Sequence, residues 1–452
     1  MILTVWKWVD EKTGMGGALD DFLNKPVPVR LSWVFSLGSA ALFLFGMQAV
    51  TGTFLALYYA PTPDHAYDSL RFIETQVTFG RIIRGFHHWG ATLMVITVGM
   101  HLVRVVLFGS YKKPREATWI IGVVLLFFVM AFGFTGYLLP WDQKAYWATV
   151  VGTEVAGSAP LVGGLVLRVM RGGAEVGALT LTRFYAAHVL VLPAITIALI
   201  GAHLMMIRKW GISGHWKLGS REPEETEPFY PTQVFKDTVG MVVVLLVLLT
   251  LTSVFGVHME APADVTDTTY QPKPEWYFLP LYQFLKYLPG PWEVVGTLVG
   301  PVVSFLVLVA LPFWDRKEER SPWRRPLVTG SAAVLASMLL VLTYLGYTAP
   351  VPGGGAVGPP EPASHVELAP ELTAGRDVYK ENSCQSCHQI HGAGTAAGPD
   401  LSRIGSQRSP GWLRVQIVDP KRNDPKSTMP PFPQLSKKEL DSLVTYLSSL
   451  KK

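Results

Sequence analysis

The sequence predicts an all-α fold, a polytopic transmembrane helical bundle of seven spans whose first four form a core, followed by a small α-helical domain. Three observations predict it. Hydrophobic residues make up 49% of the 452 and charged residues only 16%, and the apolar ones gather in runs long enough to cross a bilayer. Two of those runs, 85–108 and 184–208, each carry a pair of widely spaced histidines. A Pro- and Gly-rich stretch near the end precedes a polar segment that holds both cysteines of the chain in one CxxCH.

Taken in order, residues 5–23 scatter apolar side chains among Asp, Glu and Lys. They read as an amphipathic helix on the membrane surface or as an unstructured tail. Residues 1–28 lack a continuous apolar core, so no cleavable signal is expected. The first span, 31–59, contains Gly38 and Gly52; the second, 85–108, contains His87 and His101; the third, 118–139, contains Gly122 and Gly136. After Pro140 a long polar loop with WDQKAYW and a Gly-rich turn leads to the fourth span, 184–208, with His188 and His203. A charged linker runs from 209 to 236, and spans five to seven follow at 238–257, 292–313 and 326–347. Runs of about 20 residues match the hydrocarbon thickness.

The histidines carry the chemistry. A helix rises about 1.5 Å and turns about 100° per residue. Spacings of 14 and 15 residues therefore set each pair roughly 21–22 Å apart, within about 60° of one face. Side by side, the two helices would offer one bis-histidine site near either membrane surface, as two b-type haems need if electrons are to cross a low-dielectric layer. Interhelical hydrogen bonding or a place near a helix end would explain one such histidine, whereas the repeated wide spacing points to function. His88 points about 100° away from His87 and stays outside the ligand set. The flanking spans repeat a 14-residue spacing in glycine, which would let a flat macrocycle approach the backbone, although tight helix packing also selects small residues.

Basic residues set the orientation. Lys112, Lys113 and Arg115 follow the second span, Arg208, Lys209, Lys217 and Arg221 the fourth, and Arg316, Lys317, Arg320, Arg324 and Arg325 the sixth. These loops are expected on the cytoplasmic side, so the net charge of +5 reports topology and not nucleic acid. The N-terminus is then inside and the C-terminal domain outside. His87 meets His188 near the outer surface, and His101 meets His203 near the inner one.

Residues 349–370 have linker composition, bridging on the order of 25 Å as a mixed coil or up to about 70 Å as polyproline. Beyond them, Cys384, Cys387 and His388 form the CxxCH that attaches a c-type haem by two thioethers and one iron ligand. A zinc site would need a second Cys pair, which the chain lacks. Met429 is the one thioether downstream and the favoured sixth ligand, His391 being too near His388 to reach the opposite haem face easily.

At this point a family resemblance emerges. RGFHHWGATLMVITVGMHLVRV, GYLLPWDQ and the spacing of the second histidine pair resemble the cytochrome b subunit of Rieske/cytochrome b complexes, closest to the chloroplast-type form split after helix four. FYPTQVFKD, KPEWYFLP and RRPL look like the rest of cytochrome b, and residues 371–452, with GPDL at 398–401, resemble a class I cytochrome c. The resemblance implies a quinol-oxidation site at Pro274, Glu275, Trp276 and Tyr277, with Glu275 accepting a proton. It implies a quinone-reduction site at Lys236 and Asp237, and haem-propionate partners in Arg84 and Arg104, which snorkelling at helix ends would also explain. Two departures stand out. Ser36 in FSLGS occupies the place of the chloroplast-type cysteine that tethers an extra haem, so a covalent third haem is not expected and a non-covalent one stays open. Arg208 matches the mitochondrial-type histidine after the inner ligand, so the inner pocket is expected to differ in detail.

The expected domains are an interfacial segment (1–30), a dihaem four-helix core (31–211), a cytoplasmic linker (212–236), a second cytochrome b part (237–348), a Pro/Gly linker (349–370) and a cytochrome c domain (371–452). The expected function is that of the b/c subunit of an electrogenic quinol:cytochrome c reductase in a bacterial cytoplasmic membrane, with two non-covalent haem b, one covalent haem c and quinol as substrate. No cysteine-rich iron–sulfur motif occurs here, so the Rieske protein must be a separate partner. The other expected partners are the lipid and quinone pool, a terminal oxidase or another cytochrome as acceptor, and a second copy in a homodimer. The rival is a transmembrane dihaem conduit without its own quinol-oxidation site, and the acidic PEWY loop and the KD at the start of helix five argue against it.

Overall fold

The computed structural model describes residues 2–29, 31–216, 225–265, 267, 270, 272–288, 290–349, 370–382, 384, 388–390, 393–394, 399–425, 427 and 429–451. Two compact units emerge, one of Met1–Ala263 with Pro272–Tyr347 and one of Asp264–Gln271 with Thr348–Lys452.

The first unit is the bundle. Its seven helices long and apolar enough to cross a membrane are Trp33–Ala56, Gly80–Leu107, Glu116–Tyr137, Ala178–Trp210, Thr232–Val254, Val295–Trp314 and Pro326–Thr348. The second, fourth and fifth begin five or six residues before the apolar runs at 85, 184 and 238. Their opening turns are polar, with Arg81 and Arg84, Thr180 and Arg183, and Lys236 and Asp237. Helical hydrogen bonding continues past the limit at which side chains turn polar, so hydropathy marks only the part suited to lipid.

The stretch read as a polar loop after Pro140 is helical instead. Gln143–Gly157 and Gly163–Arg171 form two helices that pack on each other. Asp142 caps the first, its Oδ1 accepting from Ala145 N at 2.8 Å. Trp141, Tyr146, Val176, Leu181 and Phe184 make a common core beneath them. The sequence there reads as a loop because both helices are short and broken up by Gly and polar residues.

The N-terminal segment is two helices, Ile2–Thr13 and Met15–Leu23, broken at Gly14 with φ +67°. A short strand follows, Pro26–Pro28, antiparallel to Thr226–Pro228 inside the stretch read as a linker. Residues 217–224 of that linker lie outside the described residues. The connection after the second span is tied to the one after the sixth by a buried cluster. Asp315 receives Lys112 Nζ at 2.7 Å and Arg325 NH1 at 3.2 Å, and Tyr111 OH donates to the same carboxylate.

In the second unit, Pro370–Glu381 and Lys437–Ser449 cross closely, a Cβ at Gly375 falling 2.1 Å from the Ser442 carbonyl oxygen. Ser436 and Glu439 form a capping box on the last helix. Leu413, Ile417, Leu443, Val444 and Leu447 fill the core. The Pro/Gly linker between 350 and 369 lies outside the described residues.

Candidate functional site

The second and fourth spans face each other across a cavity that His87, His101, His188 and His203 all line. The rings of His87 and His188 stand 6.2 Å apart, centre to centre, at 72°. Two imidazoles on opposite sides of one metal ion would sit roughly 6 Å apart, from metal–nitrogen bonds of about 2 Å. The fourth span owes its register to a π-helical turn at Ala187–Val191, which includes His188. That turn takes in one extra residue, so the 15-residue interval on this helix rotates like the 14-residue interval on the second span.

Each histidine faces one glycine. A Cβ built at Gly52 would lie 3.0 Å from His87 Cε1, one at Gly136 2.6 Å from His188 Cε1, one at Gly38 3.3 Å from His101 Cε1 and one at Gly122 3.3 Å from His203 Cε1. Beside two of these glycines stands a threonine that the sequence reading missed. Thr51 Oγ1 donates to Met47 O at 2.7 Å and lies 3.0 Å from His87 Nδ1; Thr135 Oγ1 donates to Ala131 O at 2.8 Å and lies 3.1 Å from His188 Nδ1. With its proton engaged, each hydroxyl oxygen accepts from Nδ1–H, which leaves Nε2 bare for a metal. The Thr–Gly dipeptide repeated at 51–52 and 135–136 is the signal that would have found them.

One cavity of about 1300 Å³ runs along the four-helix core and is lined by His87, His188, His101 and His203. The facing His87–His188 pair, the glycine beside each of the four histidines and this apolar space fit flat, bis-histidine-ligated macrocycles. Arg84 and Arg104 line it too. Arg84 is buried and ion-paired with Glu74, while Arg104 lies over the Phe35 ring at 4.3 Å with a buried Nε that has no partner among the described residues.

At the His87 end, Glu275 and Tyr277 line the same cavity. Tyr277 packs against Gly133, one turn before Gly136, and burial pushes its phenol upward, helped by the charge of Glu275. Glu275 Oε1 receives Lys144 Nζ at 2.9 Å. Pro274 and Trp276 are not among the lining residues, and the Trp276 indole nitrogen is buried without a partner among the described residues.

At the His101 end, Asp237 and Arg208 line the cavity. Asp237 accepts from Ser39 Oγ and Gln233 Nε2, both at 2.8 Å. Arg208 pairs with Asp21 at 2.5 Å and stacks over Phe22. Lys236 is turned away, donating to the Leu31 carbonyl at 2.8 Å, because it lies about 100° from Asp237 around the helix. Ser36 is buried and accepts from Gln233 Nε2 at 3.4 Å.

In the second unit, His388 Nδ1 donates to the Pro399 carbonyl at 2.8 Å, so Nε2 is the nitrogen left for iron. Met429 Sδ lies 3.7 Å from Gln416 Nε2. Cys384 is described, whereas Cys387 and His391 lie outside the described residues.

Comparison with known proteins matches three family models along the chain: cytochrome b/b6/petB over residues 22–211, cytochrome b (C-terminal)/b6/petD over 262–358, and cytochrome c over 372–451. The chain is similar to the cytochrome b6 of Heliobacterium mobile, 47% identical over 46% of this chain and 98% of that protein. It is 34% identical to the cytochrome bc complex cytochrome b subunit of Chlorobaculum thiosulfatiphilum over 75% of this chain and 80% of that one. It is 42% identical to the menaquinol:cytochrome c reductase cytochrome b subunit of Bacillus subtilis over 47% and 99%. A solved hyperthermophilic respiratory Complex III superposes with a TM-score of 0.69 at 29% identity, covering 77% of this chain and 92% of that chain.

Proposed function

From the premise that this chain belongs to the cytochrome b family of bc complexes, fused to a cytochrome c domain and acting as a quinol:cytochrome c oxidoreductase subunit, we propose how its residues divide the work. His87 with His188 and His101 with His203 each hold one b haem, and Gly52, Gly136, Gly38 and Gly122 clear the space beside them. Cys384, Cys387 and His388 hold one haem c, with Met429 as its sixth ligand. When bound, the b haems supply an electron path between two quinone sites, and haem c passes on the other electron, received through a separate Rieske iron–sulfur protein. The basic loops support a bacterial cytoplasmic membrane orientation with the His87 end outside. A homodimeric complex and an outside oxidase or cytochrome as acceptor complete the reading. The domain limits are those of the sequence reading, with the dihaem core at 31–211.

Quinol enters the cavity at the His87 end. There the Glu275 carboxylate accepts a hydroxyl proton from quinol, and Tyr277 and its neighbours close the wall. At the other end Asp237, held by Ser39 and Gln233, takes up protons from the inside one at a time and passes them to quinone as it is reduced, and Arg208 balances the charge. Arg104, with the Nε that has no partner among the described residues, and Arg84, by the part of its guanidinium that Glu74 does not take, meet the propionates. Protons thus leave outside and enter from inside.

The observation that carries this reading is the His87–His188 pair at 6.2 Å in a cavity that Glu275 also lines. Glu275→Gln tests it in the assembled complex. Haem content should stay at the parental level, because no ligand changes. Quinol-dependent reduction of the c haem should fall at least tenfold, general-base help of this kind being worth roughly 10²–10⁴. An unchanged rate would remove Glu275 as the base and return the conduit reading.

A further inference from the structure

Lys144 is the cation that touches the proposed base. We infer that Lys144 is a positioning residue for quinol oxidation: its ammonium holds Oε1 of Glu275 so that Oε2 faces the quinol. The inference rests on the reading of Glu275 as the base.

The geometry has three parts. Lys144 Nζ lies 2.9 Å from Glu275 Oε1, and both side chains are largely covered, at 34% and 23% exposure. Both residues line the cavity that holds the His87–His188 pair. No hydrogen bond to Oε2 is present among the described residues, so that oxygen can take a proton while Oε1 stays engaged.

The two partners come from separate elements, and Lys144 is the better anchored. It occupies the first turn of the helix Gln143–Gly157, whose start is stitched to the segment before the Glu275 loop. Asp142 Oδ1 accepts from Ala145 N at 2.8 Å, Gln143 N donates to Ala261 O at 2.9 Å and Ala263 N donates to Trp141 O at 3.0 Å. Lys144 Nζ also lies 5.7 Å from the centre of the Tyr137 ring. Glu275 sits in a turn, with Phe278 N donating to its carbonyl at 2.8 Å. A flexible carboxylate fastened to a fixed cation loses rotamers before quinol arrives, which is how orientation lowers a barrier. Proton balance is simple: the quinol O–H bond breaks, the proton passes to Oε2, and the neutral carboxyl beside Lys144 gives it up to the outside to restore the pair.

The test is a set of four variants in the assembled, haem-loaded complex, with b-haem reduction by dithionite as the check on assembly. Lys144→Met should lower the quinol-dependent turnover number roughly threefold to tenfold, the scale of a partly covered ion pair lost in the transition state. Lys144→Arg, which keeps the charge, should recover most of it. Lys144→Met placed in Glu275→Gln should be no slower than Glu275→Gln alone. Parental turnover in Lys144→Met, failure of Lys144→Arg to recover, or losses that multiply in the double variant would each overturn the inference. Parental turnover in Glu275→Gln would instead sink the base reading beneath it.

Discussion

At Gly136 one carbon atom decides whether an imidazole can stand in its place, since a Cβ there would fall 2.6 Å from His188 Cε1. Ring and main chain are both fixed, so the added atom has nowhere to go. Gly136→Val should therefore lose the b haem of the His87 end and keep the other, taking extractable haem from two to one per chain by pyridine haemochrome assay. Retention of both would show that the span can shift. Met429 makes a separate case in the second unit. Its replacement by Ala should remove the weak long-wavelength iron–sulfur band and lower the c-haem potential, because a thioether ligand raises it. If both survive, another group completes the iron. Of these residues the histidines, Met429 and Glu275 stand out by chemical type alone. Thr51, Thr135 and Lys144 do not, because a threonine inside a span and a lysine near a surface are ordinary until their partners are known.

The helices explain why two unequal spacings make one arrangement. On the fourth span the π-helical turn Ala187–Val191 absorbs a residue, whereas the second span is α-helical from Gly80 to Leu107. Deleting Val191 should remove the bulge and leave both b haems in place. Deleting Ile96 in the second span, which has no bulge to give up, should rotate His87 and His101 by about 100° relative to each other and lose at least one haem. Equal spectra of the two deletions would refute this account. The Asp315 cluster shows the same economy between connections. Burial raises its carboxyl, but hydrogen bonds from Lys112, Tyr111 and Arg325 outweigh that, and the net direction is below the ordinary 3.8. A depressed folded value stabilises at neutral pH, and the contribution is lost as pH falls through that value. Asp315→Asn should accordingly lower the thermal midpoint at neutral pH, with the gap to the parent closing in acid. A gap that does not depend on pH would mean that packing, not charge, holds the two connections together.

For the whole chain the count of haems is the decisive number. The four widely spaced histidines His87, His101, His188 and His203 and one CxxCH lead to two extractable b haems and one covalent c haem per chain. Acid–acetone extraction followed by haem staining checks this. A chain ending before Ala349 should keep the b spectrum and lose all covalent haem; covalent haem in that fragment would overturn the reading of Ser36.

The sequence by itself determined the seven spans, the four histidines at near-equal intervals and the CxxCH, because lipid demands long apolar runs and haem demands particular side chains at helical spacing. It misread the stretch after Pro140, since short helices rich in Gly and polar residues compose like a loop. It missed the polar opening turns of three spans because hydropathy marks only the part of a helix suited to lipid. Only the tertiary structure decided which glycine stands behind which histidine, that a π-helical turn reconciles 15 residues with 14, that Lys236 faces a carbonyl while Asp237 lines the cavity, and that Lys144 meets Glu275 across 131 residues of chain. Those facts depend on how separate helices rotate against one another. That rotation is set by packing over the whole bundle, and no local spacing encodes it.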